Sequence, residues 1–211
     1  VNYVKDEELL QAYLEKYGIR EMFDTPELHF RFFEYDKGEQ IVGPMKPLEH
    51  ILFLVDGTAH IYGLREDSRF LPVTVSTPLT IYGDVEFATG HGSPFFVEAA
   101  SRLYCAALPL AEYDEILRGD VRFLNTLLAH LGEKFAFATM MDNFSGELEE
   151  QVLYYLDNHC PDGCIHSVKD TVFRLRCSRR QLQRVLGSLC EKGMLEHYKK
   201  GGYRRTRGAD T

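Results

Sequence analysis

The chain has no tryptophan and only five cysteines among its 211 residues. Cys105, Cys160, Cys164, Cys177 and Cys190 are odd in number and widely scattered, which does not suit a disulfide framework and points to reduced thiols. No apolar run approaches the roughly 18–20 residues needed to span a bilayer. The start, VNYVKDEELL, has no cationic segment leading into an apolar one, so no signal peptide is expected. Together these absences predict a soluble cytoplasmic protein with no membrane partner. Chemistry-bearing patterns are equally scarce. There is no glycine-rich phosphate loop. The acids of GDVE (83–86), or Cys105 with a histidine, lack a third positioned group and an oxyanion site, so no catalytic residue and no enzyme is expected. Cys160 and Cys164 form a C-x3-C flanked by His159 and His166, but a matching second pair is missing. His50, His60 and His91 could meet only by folding, and no metal site is expected from them.

Positive charge is also short overall, with 24 Lys+Arg against 32 Asp+Glu and a formal charge of -8. Its distribution is uneven. Residues 169–211 hold 12 cations and 4 anions, whereas residues 1–168 hold 12 cations and 28 anions. A globular chain sorted in this way points to a polyanionic partner for its cationic end. Hydrophobic residues at 45% are ample for a core, and the length suits one large domain or two small ones.

Periodicity divides the chain. Residues 6–18 read as a short amphipathic helix ended by Gly18. Short β-type runs follow, LHFRFFEYDKGEQIV, HILFLVDGTAHIYGL, FLPVTVSTPLTIYGDVEF and PFFVEAASRLYCAALPL, a spacing that suggests a sandwich or barrel. At Pro109 the period changes to helical, with Pro at a helix start. A long helix is predicted from about 120 to 143. Val121, Leu124, Leu128, Leu131, Phe135 and Ala138 recur at spacings of three and four, a heptad stripe. The stripe could pack on the strands or form a dimer seam. Phe123, Leu127 and Phe137 supply a second apolar flank for packing inward, which favours Leu124, Leu128, Leu131 and Phe135 as the seam. DNFSG (142–146) reads as a hinge, 147–160 as a helix, and 168–175 and 179–192 as two more. A two-stranded hairpin across Gly201-Gly202 ends the chain.

The segment RCSRRQLQRVLGSLCEKGMLEHYKKGGYRRT (176–206) carries the cationic excess. Leu182, Val185, Leu186, Leu189 and Cys190 form a buried stripe. Ser178 and Gln181 form an S-x-x-Q capping box, and Gly193 ends the helix. The outer face is left with Arg179, Arg180, Gln183 and Arg184. Arg can bond guanine O6 and N7 together, and Gln can do the same for adenine N6 and N7. Alone, such a face is also what a solvated helix shows. The context adds a tight link to a preceding helix and a following hairpin with Lys199, Lys200, Arg204 and Arg205 at its tip, suited to neighbouring phosphates.

On these residues the chain resembles the Crp/Fnr superfamily of transcription regulators, and within it the YeiL-like branch. CSRRQLQRVLGSLCEKGMLE is similar to that family's recognition helix, with Ser178, Arg179 and Arg184 in motif positions. YDKGEQIVGPMKPLEHILFLVDGTAHIY resembles the first half of its cyclic-nucleotide-binding-like roll, and IYGDVEF the roll's later glycine-acid turn. The resemblance implies an α+β chain: a sensor β-roll of jelly-roll type over 1–110, a connecting and dimerisation helix in 111–145, and a winged helix-turn-helix over 146–211. It implies double-stranded DNA, a second copy of the chain and RNA polymerase as partners. The family usually has Gly in the helix-helix turn, where Arg176 stands here. It also places an effector pocket at Gly83, Asp84, Phe95 and Phe96. Cyclic-nucleotide binders carry an Arg-Ser or Arg-Thr about ten residues after the acid, for which this chain offers Ser93, Pro94, Phe95 and Phe96, with Arg102 too late. Cyclic AMP is therefore not the expected effector, and the cofactor is unknown. The alternative reading is a roll-type sensor module whose basic tail binds an acidic protein.

Overall fold

The computed structural model describes residues 1–44, 47, 49–64, 70–93, 95–142 and 146–206. The hinge read at 142–146 falls largely outside these residues, as do Pro94 and the side chain of Phe137. The chain divides into two compact units, Val1–Leu71 with Val75–Phe137, and Pro72–Thr74 with Ala138–Thr211.

In the first unit, helix α1 (Glu7–Lys16) starts with Asp6, whose carboxylate accepts the Leu9 N–H at 2.9 Å. Strands β1 (Asn2–Tyr3), β2 (Arg31–Tyr35), β9 (Leu103–Pro109), β4 (His50–Asp56) and β7 (Thr80–Tyr82) form one sheet in that order. Strands β3 (Gln40–Val42), β8 (Phe95–Ala99), β5 (Ala59–Leu64) and β6 (Phe70–Ser76) form the other. The run HILFLVD of β4 is apolar on both faces because both are covered. Ile51, Phe53 and Val55 point to the helices, with Leu10, Leu14, Phe123 and Leu127. Leu52 and Leu54 point to the second sheet, with Ile41, Val97 and Ala99. Between β7 and β8 the chain forms a short helix, α2 (Asp84–Thr89), where the sequence read as strand. Gly83 turns the chain there at φ +87°, a left-handed conformation glycine adopts without strain.

Helix α3 (Leu110–Gly119) follows, and Pro109 is its N-cap rather than its first helical residue. Helix α4 (Val121–Asp142) is the long one. Asp120 fixes its start. The buried carboxylate accepts the N–H groups of Asp24 (3.0 Å), Thr25 (2.8 Å) and Phe123 (2.9 Å). Asp24 returns the contact, accepting from the Arg122 N–H at 3.0 Å and pairing with its guanidinium at 3.1 Å. Burial raises the Asp120 pKa, but the three backbone donors and the Thr25 side chain together outweigh it and hold the group below the ordinary carboxylate range. A carboxylate of this kind stabilises the fold above its unfolded pKa, and the contribution disappears as pH falls through the depressed folded value. Asp120→Ala is expected to cost about 2 kcal/mol at neutral pH. Urea titrations of wild type and variant should converge toward strong acid; a difference independent of pH would contradict the assignment.

Two stripes run along α4, offset by one residue. Phe123, Leu127, His130 and Lys134 turn inward. Leu124, Leu128 and Phe135 turn outward and are 39%, 68% and 73% exposed, with Leu131 half-buried beside them. One residue is about 100° of helix, so one face is anchored while the other stays apolar and uncovered.

The second unit holds α5 (Leu148–His159), α6 (Val168–Arg174) and α7 (Arg179–Glu191). Its sheet orders β10 (Cys164–Ile165), β12 (Gly202–Arg205) and β11 (Leu195–Lys199). Its core joins Val152, Tyr155 and Leu156 of α5 to Leu182, Leu186 and Leu189 of α7, with Leu195 and Tyr203 from the hairpin.

Candidate nucleic-acid interface

Helix α7 is held at both ends. The Ser178 hydroxyl accepts the Gln181 N–H at 3.1 Å, and the Gln181 side chain accepts the Ser178 N–H at 3.0 Å. At the other end Gly193, at φ +71°, donates its N–H to the Cys190 carbonyl, and Met194 donates to Leu189. With Leu182, Leu186 and Leu189 fully buried, rotation about the helix axis is fixed. Ser178, Arg179, Arg180, Gln183 and Arg184 are consequently all exposed, on the first turns of the helix. The helix dipole adds partial positive charge there.

The link from α6 is tight. Arg176 donates its N–H to the Phe173 carbonyl and Cys177 to Val172, the paired bonds of a Schellman cap. That cap puts Arg176 at φ +47°, the left-handed region, which costs a non-glycine residue on the order of 1–2 kcal/mol. The turn therefore has the ordinary glycine geometry with an arginine in it. Cys177 packs partly against the unit's core.

The hairpin turn is formed by Lys200 and Gly201, one residue earlier than the sequence suggested. Lys199 and Lys200 are exposed at the tip. Arg204 and Arg205 are placed differently from the expectation. Both lie in β12, away from the tip. The Arg204 guanidinium binds Glu196 at 2.7 Å on the neighbouring strand, and Arg205 pairs with Asp157 at 3.3 Å. Beside the hairpin tip Tyr198 and Asp162 both bond the His166 ring, at 2.5 and 2.7 Å. Cys160 and Cys164 are free thiols. Among the described residues, no group of three or more His, Cys, Asp or Glu is placed to hold a metal ion.

In the first unit, the residues expected at an effector pocket do not line the cavity found there. A cavity of about 160 Å³ opens among Phe33, Tyr35, Ile41, Leu52, Glu86 and Ser93, with His50 and Glu49 on its wall. Gly83, Asp84, Phe95 and Phe96 are not among its lining residues. Asp84 is 3% exposed and turned to α4, where the Lys134 ammonium donates to it at 2.6 Å and to the Ile81 carbonyl at 2.9 Å. His130 Nε2 accepts the Ile81 N–H at 3.2 Å. Both backbone groups of Ile81, on the edge strand β7, are thus satisfied by side chains of α4. Burial, then the Lys134 charge, lowers the His130 pKa and keeps the ring in the neutral form that can accept. Arg102 pairs with Glu34 and lies over the Tyr104 ring. Strand alternation puts Glu34 on the face of β2 opposite Phe33 and Tyr35, so Arg102 is directed away from the cavity.

Comparison with known proteins gives the class first. No protein-family model matches the chain. In fold it is similar to FixK2 from Bradyrhizobium japonicum, with a TM-score of 0.69, 20% identity and coverage of 86% of this chain and 94% of that one. It is likewise similar to a CRP/FNR family transcriptional regulator from Thermus thermophilus, with a TM-score of 0.57, 16% identity and coverage of 83% and 93%. The fold is that of the Crp/Fnr transcription regulators, with a cyclic-nucleotide-binding-like domain. In sequence the chain is 25% identical over 175 residues to the regulatory protein YeiL of Escherichia coli O157:H7, spanning 81% of this chain and 80% of the relative. The resemblance read from the residues therefore holds in both sequence and fold. No described helix is long and apolar enough to cross a membrane.

Proposed function

We propose that the protein is a transcription regulator, not an enzyme, that binds a palindromic DNA site as a homodimer through a winged helix-turn-helix. The observation that carries this reading is the face of α7. Arg179, Arg180, Gln183 and Arg184 are exposed together on a helix whose cap and buried leucines fix its orientation. These side chains read base edges in the major groove, while Lys199 and Lys200 at the hairpin tip meet adjacent phosphates. Arg204 contributes less than its sequence position suggests, because Glu196 already neutralises it. The outward stripe of α4 pairs with its copy, and the two-fold axis of that dimer sets two recognition helices about one DNA turn apart. RNA polymerase is the partner such a regulator acts on. Fluorescence anisotropy with a duplex carrying the operator tests the reading: affinity should fall steeply with salt and depend on sequence. Capture of an acidic protein with no duplex preference would favour the alternative of a protein-binding tail.

Cyclic AMP and cyclic GMP are expected not to bind with functional effect. The cavity of about 160 Å³ is small beside the roughly 300–1,000 Å³ of ordinary ligand pockets. No lysine or arginine is among its described lining residues, and the Val1 ammonium on its wall is already paired with Glu39 at 2.6 Å, so a buried phosphate would lack a free charge-assisted partner. Calorimetry with each nucleotide to millimolar concentration, beside an operator-binding assay, checks this. Micromolar binding that also shifts DNA affinity would contradict it.

A further inference from the structure

The cavity in the first unit has a chemistry of its own. Glu86 is 8% exposed, lines it, and makes no side-chain hydrogen bond or ion pair with the described residues. A largely buried carboxylate with no described protein partner is open to a donor brought by a ligand. On the same wall His50 Nε2 is buried with no hydrogen-bond partner. Burial, and then the Arg31 charge, holds the His50 pKa low, so the ring brings no positive charge. Tyr35 is buried, and that burial raises its phenol pKa, leaving a neutral hydroxyl. Glu49 adds a second carboxylate to the wall. Apart from the Ser93 hydroxyl and the Val1 ammonium, which Glu39 holds at 2.6 Å, the remaining described surface, Phe33, Ile41, Val42 and Leu52 among it, is apolar.

We infer that this cavity binds a small organic cation, a short primary ammonium with an apolar chain, whose charge is neutralised by Glu86. The size agrees. At about 160 Å³ the cavity lies below the roughly 300–1,000 Å³ of ordinary ligand pockets and suits a ligand of few heavy atoms. The ammonium supplies the donors that Glu86 lacks, and its chain meets the apolar wall. An anion would face two carboxylates and an ammonium, that of Val1, already paired with Glu39, and a neutral alcohol would leave Glu86 without a counter-charge. As an effector site the cavity rests on the regulator reading above, but binding itself does not.

Calorimetry on the full chain without DNA therefore tests the cavity alone, and its failure would leave the DNA-binding reading standing. The probes are n-butylammonium, butan-1-ol and butyrate. Butylammonium should bind at least about tenfold more tightly than the alcohol, and butyrate should give no heat. Glu86→Gln should weaken butylammonium about tenfold or more, with folding checked by circular dichroism. Val42→Phe fills the same cavity from half-buried β3 and should abolish binding with Glu86 intact. The inference is overturned if butylammonium gives no binding at about 10 mM, a concentration at which even millimolar affinity is seen. It is equally overturned if butyrate binds as well, or if binding survives either substitution.

Discussion

Leu128→Asp combined with Phe135→Asp is expected to give a folded monomer that binds a palindromic duplex about 10²–10⁴-fold more weakly than wild type. The magnitude is the loss of a linked second half-site, not of any base contact. The two side chains are 68% and 73% exposed, so the charges introduced disturb little of the unit's own core. In the proposed dimer each is buried twice by symmetry. Burying a large apolar side chain contributes roughly 1.5–3 kcal/mol. Leu124, Leu128, Leu131 and Phe135 from two copies are thus sufficient to hold the pair. Anchoring supports this geometry. Phe123 and Leu127 lock the opposite face of α4 into the first unit, and Asp120 clasps its start. Sedimentation velocity reads the change directly. A wild type monomeric at micromolar concentration would remove the seam from the account.

Arg180→Ala and Lys200→Ala should fail in different ways. Arg180 projects from the first turn of α7, so its loss should cost about 1–3 kcal/mol on the preferred duplex and relax discrimination at one base pair. Lys200 is at the hairpin tip, where the contact is to phosphate. Its loss should weaken all duplexes alike and reduce the salt slope by about one. Arg204→Ala should do much less to either quantity, since the side chain is committed to Glu196. Equal effects of Arg180→Ala on all sequences would place that side chain on the backbone.

Much of this is legible in the sequence. The S-x-x-Q box, the leucine spacing and Gly193 specify where α7 starts, which face it buries and where it stops; each is a local rule, and each is observed. At Arg176 the sequence leaves open whether the turn differs from the family's glycine turn or keeps its left-handed geometry, and the structure has the latter. What was missed depended on partners distant in sequence. His130 and Lys134 look like ordinary polar positions on a helix. Their role exists only because the edge of β7 lies against them. The turn pattern at Asp84 names a pocket acid but not the helix whose Lys134 pairs with it. Short α2 was hidden inside a β-rich run of apolar residues. The Arg204–Glu196 pair could have been found, because the hairpin register places the two directly opposite each other.

Selection from a random duplex library by the full chain tests the central claim most directly. The account expects an enriched inverted repeat with half-sites about one helical turn apart. It also expects the enrichment to vanish for Arg179→Ala/Arg180→Ala/Arg184→Ala while the fold, judged by circular dichroism, persists. A library returned without an enriched motif, or a motif unchanged in that variant, would contradict it.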